Sequence, residues 1–160
     1  MQENHEAMLR ISKLTDYAIL AMVELNQAGS RVTSAQALAE RCHLELPTVS
    51  KVLKMLARAG LVRSYRGANG GYRVNGEPTA ISVADIIAAI EGPIAMTECS
   101  VHEGLCTVES SCNARENWQK ISLAVAEALE RVSLSEMAGA TDAGPSPRRI
   151  PSLRIATVNS

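Results

Sequence analysis

The chain has 160 residues, a formal net charge of −1, four cysteines and only 2% aromatic residues. This length suits one domain, or one domain with an appendage. A net charge near zero supplies no overall field that draws a protein to nucleic acid or to an anionic membrane, so a DNA-binding function requires an uneven distribution of charge. The scarcity of aromatic rings argues against folds that stack bases on them, such as RNA-recognition sheets and OB-type barrels.

The N-terminal residues do not resemble an export signal. Residues 1–7 are polar and partly acidic, and the longest unbroken apolar run, residues 17–23, is far shorter than the roughly 20 residues that cross a bilayer. We therefore expect a cytoplasmic protein without a membrane partner. Because cytoplasmic thiols stay reduced, the four cysteines are expected to be ligands, sensors or core residues rather than disulfides.

Charge is distributed unevenly along the chain. Residues 1–75 carry a net +4, residues 76–138 carry −7 and residues 139–160 carry +2. Between Arg41 and Arg73, seven cations accompany a single acid, Glu45. Such a run can be an ordinary solvated face, so the local architecture must decide whether it is a nucleic-acid-binding surface.

The first half of the chain predicts three helices followed by a hairpin. Apolar residues at helical spacing predict helices over residues 12–28, 33–41 and 47–60. Gly29 ends the first helix, the pair Thr33 and Gln36 forms a capping box for the second, and Pro47 occupies the first position of the third. Two β-prone runs flank a glycine-rich turn and predict the hairpin, over residues 61–65 and 72–74. Two helices joined by a tight turn and followed by a hairpin are typical of a winged helix-turn-helix.

The third predicted helix carries polar and basic residues outside its apolar stripe. These candidate DNA contacts are Thr48, Ser50, Lys51, Lys54 and Arg58. Short hydroxyls and a lysine near the helix N-terminus suit base edges and phosphates in a major groove, and the later cations suit the backbone. Arg66, at the edge of the hairpin, suits a narrow minor groove. The alternative is an ordinary amphipathic helix with a basic surface. We expect double-stranded DNA as a partner.

Beyond the hairpin, a helix is predicted from Ser82, with Asp85 as its capping partner, to Gly92. Apolar periodicity is then lost over residues 93–111, where three cysteines follow the pattern Cys-x6-Cys-x5-Cys and occupy Cys99, Cys106 and Cys112. Three thiols on one loop can converge on one metal centre. Zinc is less natural because paired Cys-x2-Cys knuckles are absent, and the third possibility is that these cysteines are inert. The pattern favours an iron-sulfur cluster.

A long helix is predicted over residues 114–132. Its apolar residues alternate steps of three and four, as in a coiled-coil seam: Trp118, Ile121, Val125, Ala128 and Val132. A second copy of the chain would cover this narrow stripe, and a homodimer suits a protein that binds a pseudo-palindromic DNA site. The alternative is that the stripe packs on the chain's own winged helix. Residues 133–137 close the helical region, and the Ala-, Gly-, Ser- and Pro-rich residues 139–160 are expected to be disordered.

The sequence resembles the family of winged-helix iron-sulfur transcription regulators that includes IscR and NsrR. The resemblance covers residues 8–137 and rests on LRISKLTDYA (9–18), GLVRSYRG (60–67), GGY (70–72) and the three spaced cysteines. It implies homodimers, a cluster near the dimer helix, with 2Fe-2S favoured and 4Fe-4S possible, and a DNA affinity that depends on cluster state. The closest likeness is to the subgroup that regulates SUF-type iron-sulfur assembly genes.

The fourth ligand departs from one branch of this family. IscR-like members place a histidine three residues after the third cysteine, where this chain has Arg115, which cannot coordinate a metal because it stays protonated. Asp16 matches the first-helix acid that ligates the cluster from the partner subunit in NsrR-like members, although it can also be a surface acid favoured by the helix dipole. The other candidates are His102, Glu116 and an exogenous thiol or water. Cys42 is interpreted as a packed thiol.

These observations predict a mainly α protein with four regions. They are an N-terminal extension (1–8), a winged helix-turn-helix DNA-binding domain (9–78), a cluster loop with dimerisation helices (79–138) and a disordered tail (139–160). The predicted function is cluster-dependent transcriptional regulation. One alternative is a cluster-free winged-helix regulator that senses thiol oxidation or a protein partner. An enzyme is the weakest interpretation, because no Ser/His/Asp set, Walker motif or pair of catalytic carboxylates is present, and no small-molecule substrate is expected.

Overall fold

The computed structural model describes residues 11–97 and 114–139. Helices and strands follow one another in the order α1 (Lys13–Gln27), α2 (Ala35–Cys42), α3 (Leu46–Arg58), β1 (Val62–Tyr65), β2 (Gly71–Val74), a 3-10 turn (Pro78–Ala80), α4 (Val83–Glu91), α5 (Arg115–Glu130) and α6 (Leu134–Met137). The predicted mainly helical class with one small antiparallel sheet is confirmed. The predicted extension (1–8), the three loop cysteines and residues 140–160 of the predicted tail lie outside the described residues.

The core is aliphatic and is built around α1. This helix packs against α2, α3 and α4, because small and branched residues recur on its inward face at steps of three and four. Ala18, Ala21, Met22 and Leu25 are all fully buried. The facing stripe of α3 is equally enclosed and comprises Val49, Val52, Leu53 and Leu56. Burying each of these larger side chains contributes roughly 1.5–3 kcal/mol, so this stripe fixes α3 against the rest of the domain.

Serine side chains begin four of the helices. The predicted capping box of Ser82 and Asp85 is confirmed, because Ser82 Oγ accepts from the Asp85 N–H at 3.1 Å and the Asp85 carboxylate accepts from the Ser82 N–H at 2.8 Å. Ser12 and Ser34 cap α1 and α2 in the simpler one-sided way. A second, unpredicted capping box joins Ser133 to Glu136 at the start of α6. Each cap satisfies an N–H that the helix itself leaves without a partner.

The capping box predicted for Thr33 and Gln36 is wrong by one residue. Thr33 precedes the cap, and its backbone exchanges two hydrogen bonds with Tyr72 of β2, at 2.9 and 2.8 Å. Gln36 instead donates to Glu40 one turn later, at 2.8 Å. A bridge to a strand distant in the sequence therefore determines where α2 begins. The boundary of α3 also differs slightly, since Leu46 is its first residue and Pro47 its second.

Backbone hydrogen bonds and one buried side chain join the region of α5 and α6 to the rest of the domain. Ser82 and Ser133 form an isolated antiparallel bridge, the Val83 N–H donates to the Val132 carbonyl, and the Leu134 N–H donates to the Ile81 carbonyl, both at 2.8 Å. Leu134 is fully buried and anchors α6 beneath α1. The predicted long helix is confirmed to within two residues at its C-terminal end.

Across the two ranges that the structure covers, no helix is both long enough and apolar enough to cross a membrane.

Candidate nucleic-acid interface and metal-binding segment

Three cations form a ridge on the outer side of α3. Lys51, Lys54 and Arg58 are separated by steps of three and four residues, which place them on one face, and all three are exposed. This face lies opposite the buried stripe that faces α1. Thr48 and Ser50 are half-buried on the two flanks of the ridge. The structure therefore brings the five predicted α3 residues to the outer half of one helix.

The turn between α2 and α3 fixes the direction of this ridge. His43 ends α2 in the left-handed conformation, with φ = 53°, and the following Leu44 N–H donates to the Ala39 carbonyl at 2.9 Å. Among the described residues, His43 is the one non-glycine residue with a positive φ. Residues with a side chain rarely adopt this backbone conformation, and glycine is the usual residue at this position of a helix end.

The wing is the β1–β2 hairpin, in which Val62 pairs with Val74 on the buried side and Arg63 pairs with Arg73 on the other. It is tied to the start of α2 by the Thr33–Tyr72 bridge. A Cβ atom at Gly71 would lie 2.6 Å from the carbonyl carbon of Thr33, so only glycine permits this close approach.

Two arginines of the wing differ in their surroundings. Arg66 is exposed at the end of the hairpin, as predicted, beside the turn that Gly67 forms with φ = 104°. Arg73 instead lies over the ring of Tyr65, with 5.6 Å between the guanidinium carbon and the ring centroid. This cation–π pair was not foreseen, although the strand register derived from the hairpin places the two residues on one face.

The N-terminus of α1 is joined to the C-terminus of α4. Glu91, the last residue of α4, accepts hydrogen bonds from the Thr15 hydroxyl at 2.5 Å and from the Ser12 N–H at 3.1 Å. Both donors hold the pKa of the Glu91 carboxyl below its usual range, the Thr15 hydroxyl most of all. Thr15 is fully buried, whereas the neighbouring Asp16 is exposed in the first turn of α1. The predicted oxygen ligand is therefore at the surface, beside the point where the cysteine-bearing segment leaves α4.

The predicted cluster residues Cys99, Cys106 and Cys112 lie outside the described residues, and so does His102. Within the part that is described, no three His, Cys, Asp or Glu side chains form a group that could hold a metal ion. Glu116, another candidate for the fourth position, is exposed in the first turn of α5, and Arg115, which replaces the histidine of IscR-like members, is half-buried beside it.

Cys42 is the one free cysteine among the described residues, and it is half-buried at the end of α2. Burial raises the pKa of its thiol, and the nearby Glu24 carboxylate raises it further, while Arg41 opposes them. A raised pKa keeps the thiol protonated and unreactive, as expected of a packed cysteine.

The ends of the undescribed segment are held by the described structure. After α4 ends at Glu91, the chain returns towards α5, where the Met96 N–H donates to Ser122 Oγ at 3.0 Å. Ser122 is the one buried residue of α5. Residues 98–113 therefore connect a stretch fixed against the middle of α5 to the first residue of that same helix.

Comparison with known proteins agrees with this architecture. A family model described as Rrf2, iron-dependent transcriptional regulator, matches residues 11–140. The HTH-type transcriptional regulator CymR of Bacillus subtilis (strain 168) is 36% identical over 135 residues, which cover 84% of this chain and 93% of that protein. The solved structure of CymR (YrzC), the global cysteine regulator of B. subtilis, is 38% identical with a TM-score of 0.66 and covers 84% of this chain and 100% of that one.

The solved structure of T. potens IscR is 31% identical, with a TM-score of 0.62, and covers 88% of this chain and 95% of that one. The fold of this chain is thus the winged helix of the CymR and IscR structures. The named relatives are transcriptional regulators and not enzymes, which removes the enzyme interpretation. This chain belongs to the Rrf2 family of helix-turn-helix transcriptional regulators.

Proposed function

We propose that the protein is a cytoplasmic, homodimeric regulator whose affinity for promoter DNA depends on a bound iron-sulfur cluster, and that its targets are SUF-type iron-sulfur assembly genes. The observation that carries the proposal is the position of the three cysteines. All of them fall between α4 and α5, in a segment whose flanking residues are hydrogen-bonded to α1 and α5. These contacts support the proposal, because a change in this segment would act on the helices around the DNA-binding unit.

The thiolates of Cys99, Cys106 and Cys112 are the proposed protein ligands. Asp16 of the partner subunit supplies a carboxylate oxygen as the fourth, with His102, Glu116 or an exogenous ligand as the competing possibilities. Soft thiolates suit iron, and a single oxygen ligand makes the bound group more labile than four thiolates would. Bound there, the cluster supplies sensitivity to iron supply, oxygen or nitric oxide. A 2Fe-2S cluster is favoured over 4Fe-4S.

The chain's own residues couple the segment to DNA. Glu91 holds the end of α4 against the N-terminus of α1, and α1 packs on α3, the proposed recognition helix. Ser122 holds the other described end of the segment against α5. Ordering or releasing residues 98–113 would thus bias the position of α3 relative to α5, in the manner of other segments that switch between ordered and disordered states.

The proposed dimer contact is the exposed apolar side of α5. Trp118 is 39% exposed and Ile121 is 44% exposed, while Val125 is half-buried and Val132 is at the surface. A stripe of this kind on a long helix is costly in water and is covered when a second copy packs on it. Two recognition helices related by a two-fold axis would then face two DNA half-sites about one helical turn apart, or a multiple of that spacing.

The proposed DNA contacts divide by chemistry. Thr48, Ser50 and Lys51, near the start of α3, would contact base edges and phosphates in the major groove. Lys54 and Arg58, further along the ridge, would contact the backbone. Arg66 of the wing would enter the adjacent minor groove, where the negative potential attracts a guanidinium.

The test is anaerobic reconstitution followed by absorption spectroscopy, iron and sulfide analysis and promoter binding. The expected result is a coloured holo protein whose affinity for the promoter of a SUF-type operon differs from that of the apo protein. Replacing Cys99, Cys106 and Cys112 together by Ala should abolish the colour, the bound iron and this difference. Cys42→Ala is the matched control and should change none of them. Equal affinity of holo and apo protein, or an unchanged spectrum in the triple variant, contradicts the proposal.

A second candidate is a cluster-free regulator that responds to cysteine or to thiol oxidation. It is favoured by the similarity to a structure named for the global cysteine regulator CymR. Colourless protein without iron after anaerobic purification and reconstitution, combined with DNA affinity that changes on mild oxidation, would support it. The Asp16→Ala variant separates the two further, because only a cluster-binding protein should show a change in cluster lifetime.

A further inference from the structure

A cleft of about 350 Å³ separates the wing tip from α2. One wall is a face of α2 on which Ser34, Ala37 and Arg41 follow one another at steps of three and four residues. Arg31, in the loop before α2, lies at one end, and Asn69 and Gly70 of the wing turn form the opposite lip. The Thr33–Tyr72 bridge joins the two walls at the base, so the cleft is part of the fixed hairpin arrangement.

The charge of this cleft is entirely positive. Its lining includes two arginines and no acid. Both arginines are exposed residues, and within residues 11–97 and 114–139 neither forms an ion pair with a carboxylate. The Arg31 Nε–H donates to the Ala28 carbonyl at 3.4 Å, which restrains that side chain and leaves its two terminal nitrogens available. Two cations that face one cleft without a carboxylate repel each other unless an anion lies between them.

The remaining polar groups of the cleft also suit an anion. The start of α2 faces it, and the first-turn N–H groups of a helix carry partial positive charge. Ser34 Oγ already accepts from the Ala37 N–H at 3.1 Å, and the Gly70 N–H donates to the Gly67 carbonyl at 3.0 Å. The side-chain donors that line the cleft include the two guanidinium groups and the amide of Asn69. A phosphate oxygen anion is the ligand chemistry that arginine forks match best.

We propose that Arg31 and Arg41 together bind one phosphodiester group of the DNA backbone. This inference rests on the proposed DNA-binding function and extends it to a site outside the recognition helix. The cleft lies between α2, which packs on α3, and the wing that carries Arg66. A duplex that meets both the α3 ridge and the wing would pass close to this cleft. Contact there would fix the orientation of the duplex without reading its sequence.

The test measures the salt dependence of binding to a mixed-sequence duplex of about 30 base pairs, for the wild type, Arg31→Gln, Arg41→Gln and the double variant. The double variant loses one phosphate contact. This loss should flatten the slope of log K against log salt by about 0.9 per protomer and weaken binding about tenfold. The loss of affinity should be the same on the SUF-type promoter as on the mixed-sequence duplex, because a phosphate carries no sequence information. Arg41→Lys keeps the charge and should keep the slope.

Arg131→Gln is the matched control, since it removes one exposed arginine that does not line the cleft and should leave both slope and affinity unchanged. Thermal unfolding of each variant checks that the fold is intact. An unchanged slope in a folded double variant overturns the inference while leaving the proposed function standing. A wild type that binds neither duplex overturns both. Tight binding of inorganic phosphate that depends on these arginines, with DNA affinity unchanged in the variants, would assign the cleft to a free anion and also overturns the inference.

Discussion

The two halves of the described chain are stabilised in different ways. Helix α3 buries four aliphatic side chains among α1, α2 and α4, whereas α5, which is three residues longer, buries only Ser122. Leu123, next to that serine, is 61% exposed. The N-terminal half also carries the positive charge, and residues 76–138 carry the negative charge. The winged-helix half is therefore closed within one chain, while α5 leaves apolar side chains exposed, which a second copy would cover under the proposed function.

The largest expected effect is on the stability of the N-terminal half, where α3 is buried. Leu53→Ala should lower the free energy of unfolding by about 3–5 kcal/mol, because it removes a fully buried side chain and leaves a cavity. Leu123→Ala, the same substitution on α5, should change the unfolding of the monomer by no more than about 0.5 kcal/mol. Urea denaturation followed by circular dichroism measures both. Similar losses in the two variants would remove the distinction between the halves.

The next effect concerns what covers α5. Ile121→Glu should weaken self-association by about 2–3 kcal/mol, roughly 100-fold in the dimer Kd, because a carboxylate is placed in an apolar contact. Gln119→Glu is the control, since it adds a carboxylate at an exposed position two residues before Ile121, which is about 200° around the helix from it. Sedimentation at several protein concentrations gives both constants. A dimer unaffected by Ile121→Glu would show that another surface forms the interface.

A smaller effect tests the joint between the halves. The hydrogen bonds from Thr15 and Ser12 lower the pKa of Glu91, so its contribution to stability is present above the carboxyl's unfolded pKa. This contribution is lost as pH falls through the lower folded pKa. Glu91→Gln should cost about 1 kcal/mol at neutral pH, after allowance for solvent screening, and nothing at an acidic pH below the folded pKa.

Denaturation curves across this pH range, with Glu127→Gln on α5 as the control, measure the difference. A constant gap between Glu91→Gln and the wild type at every pH would mean that ionisation of Glu91 plays no part in holding α1 to α4.

The smallest expected effect is a gain. His43→Gly should stabilise the protein by about 0.5–1 kcal/mol, because glycine adopts the left-handed conformation of this turn without the clash that a Cβ atom produces. His43→Ala keeps that clash and should give no gain. Thermal unfolding of the two variants side by side is sufficient, and a gain in both would assign the effect to the lost imidazole.

Local signals were sufficient for much of the fold. Ser82 with Asp85, and the stripe from Val49 to Leu56, predicted α4 and α3 because caps and apolar spacing act within one helix. The start of α2 was mispredicted because Thr33 is engaged by Tyr72, 39 residues further along the sequence. The cleft of Arg31 and Arg41 was also missed, since it exists only when the loop, α2 and the wing turn come together. The Glu91–Thr15 contact has the same origin, because its partners are 76 residues apart.

The backbone bridge at Ser133 anchors the chain just after the C-terminal end of α5. A helix of 16 residues extends about 24 Å, so its N-terminal end, which adjoins residues 98–113, is far from the point where Val132 and Leu134 are hydrogen-bonded to the rest of the domain. A displacement of about 2 Å at that far end corresponds to a rotation of only about 5° at the bridge. Under the proposed function, small rearrangements in the cysteine-bearing segment would therefore change the angle between α5 and the DNA-binding unit. In a dimer, this would change the spacing of the two DNA-binding units on one duplex.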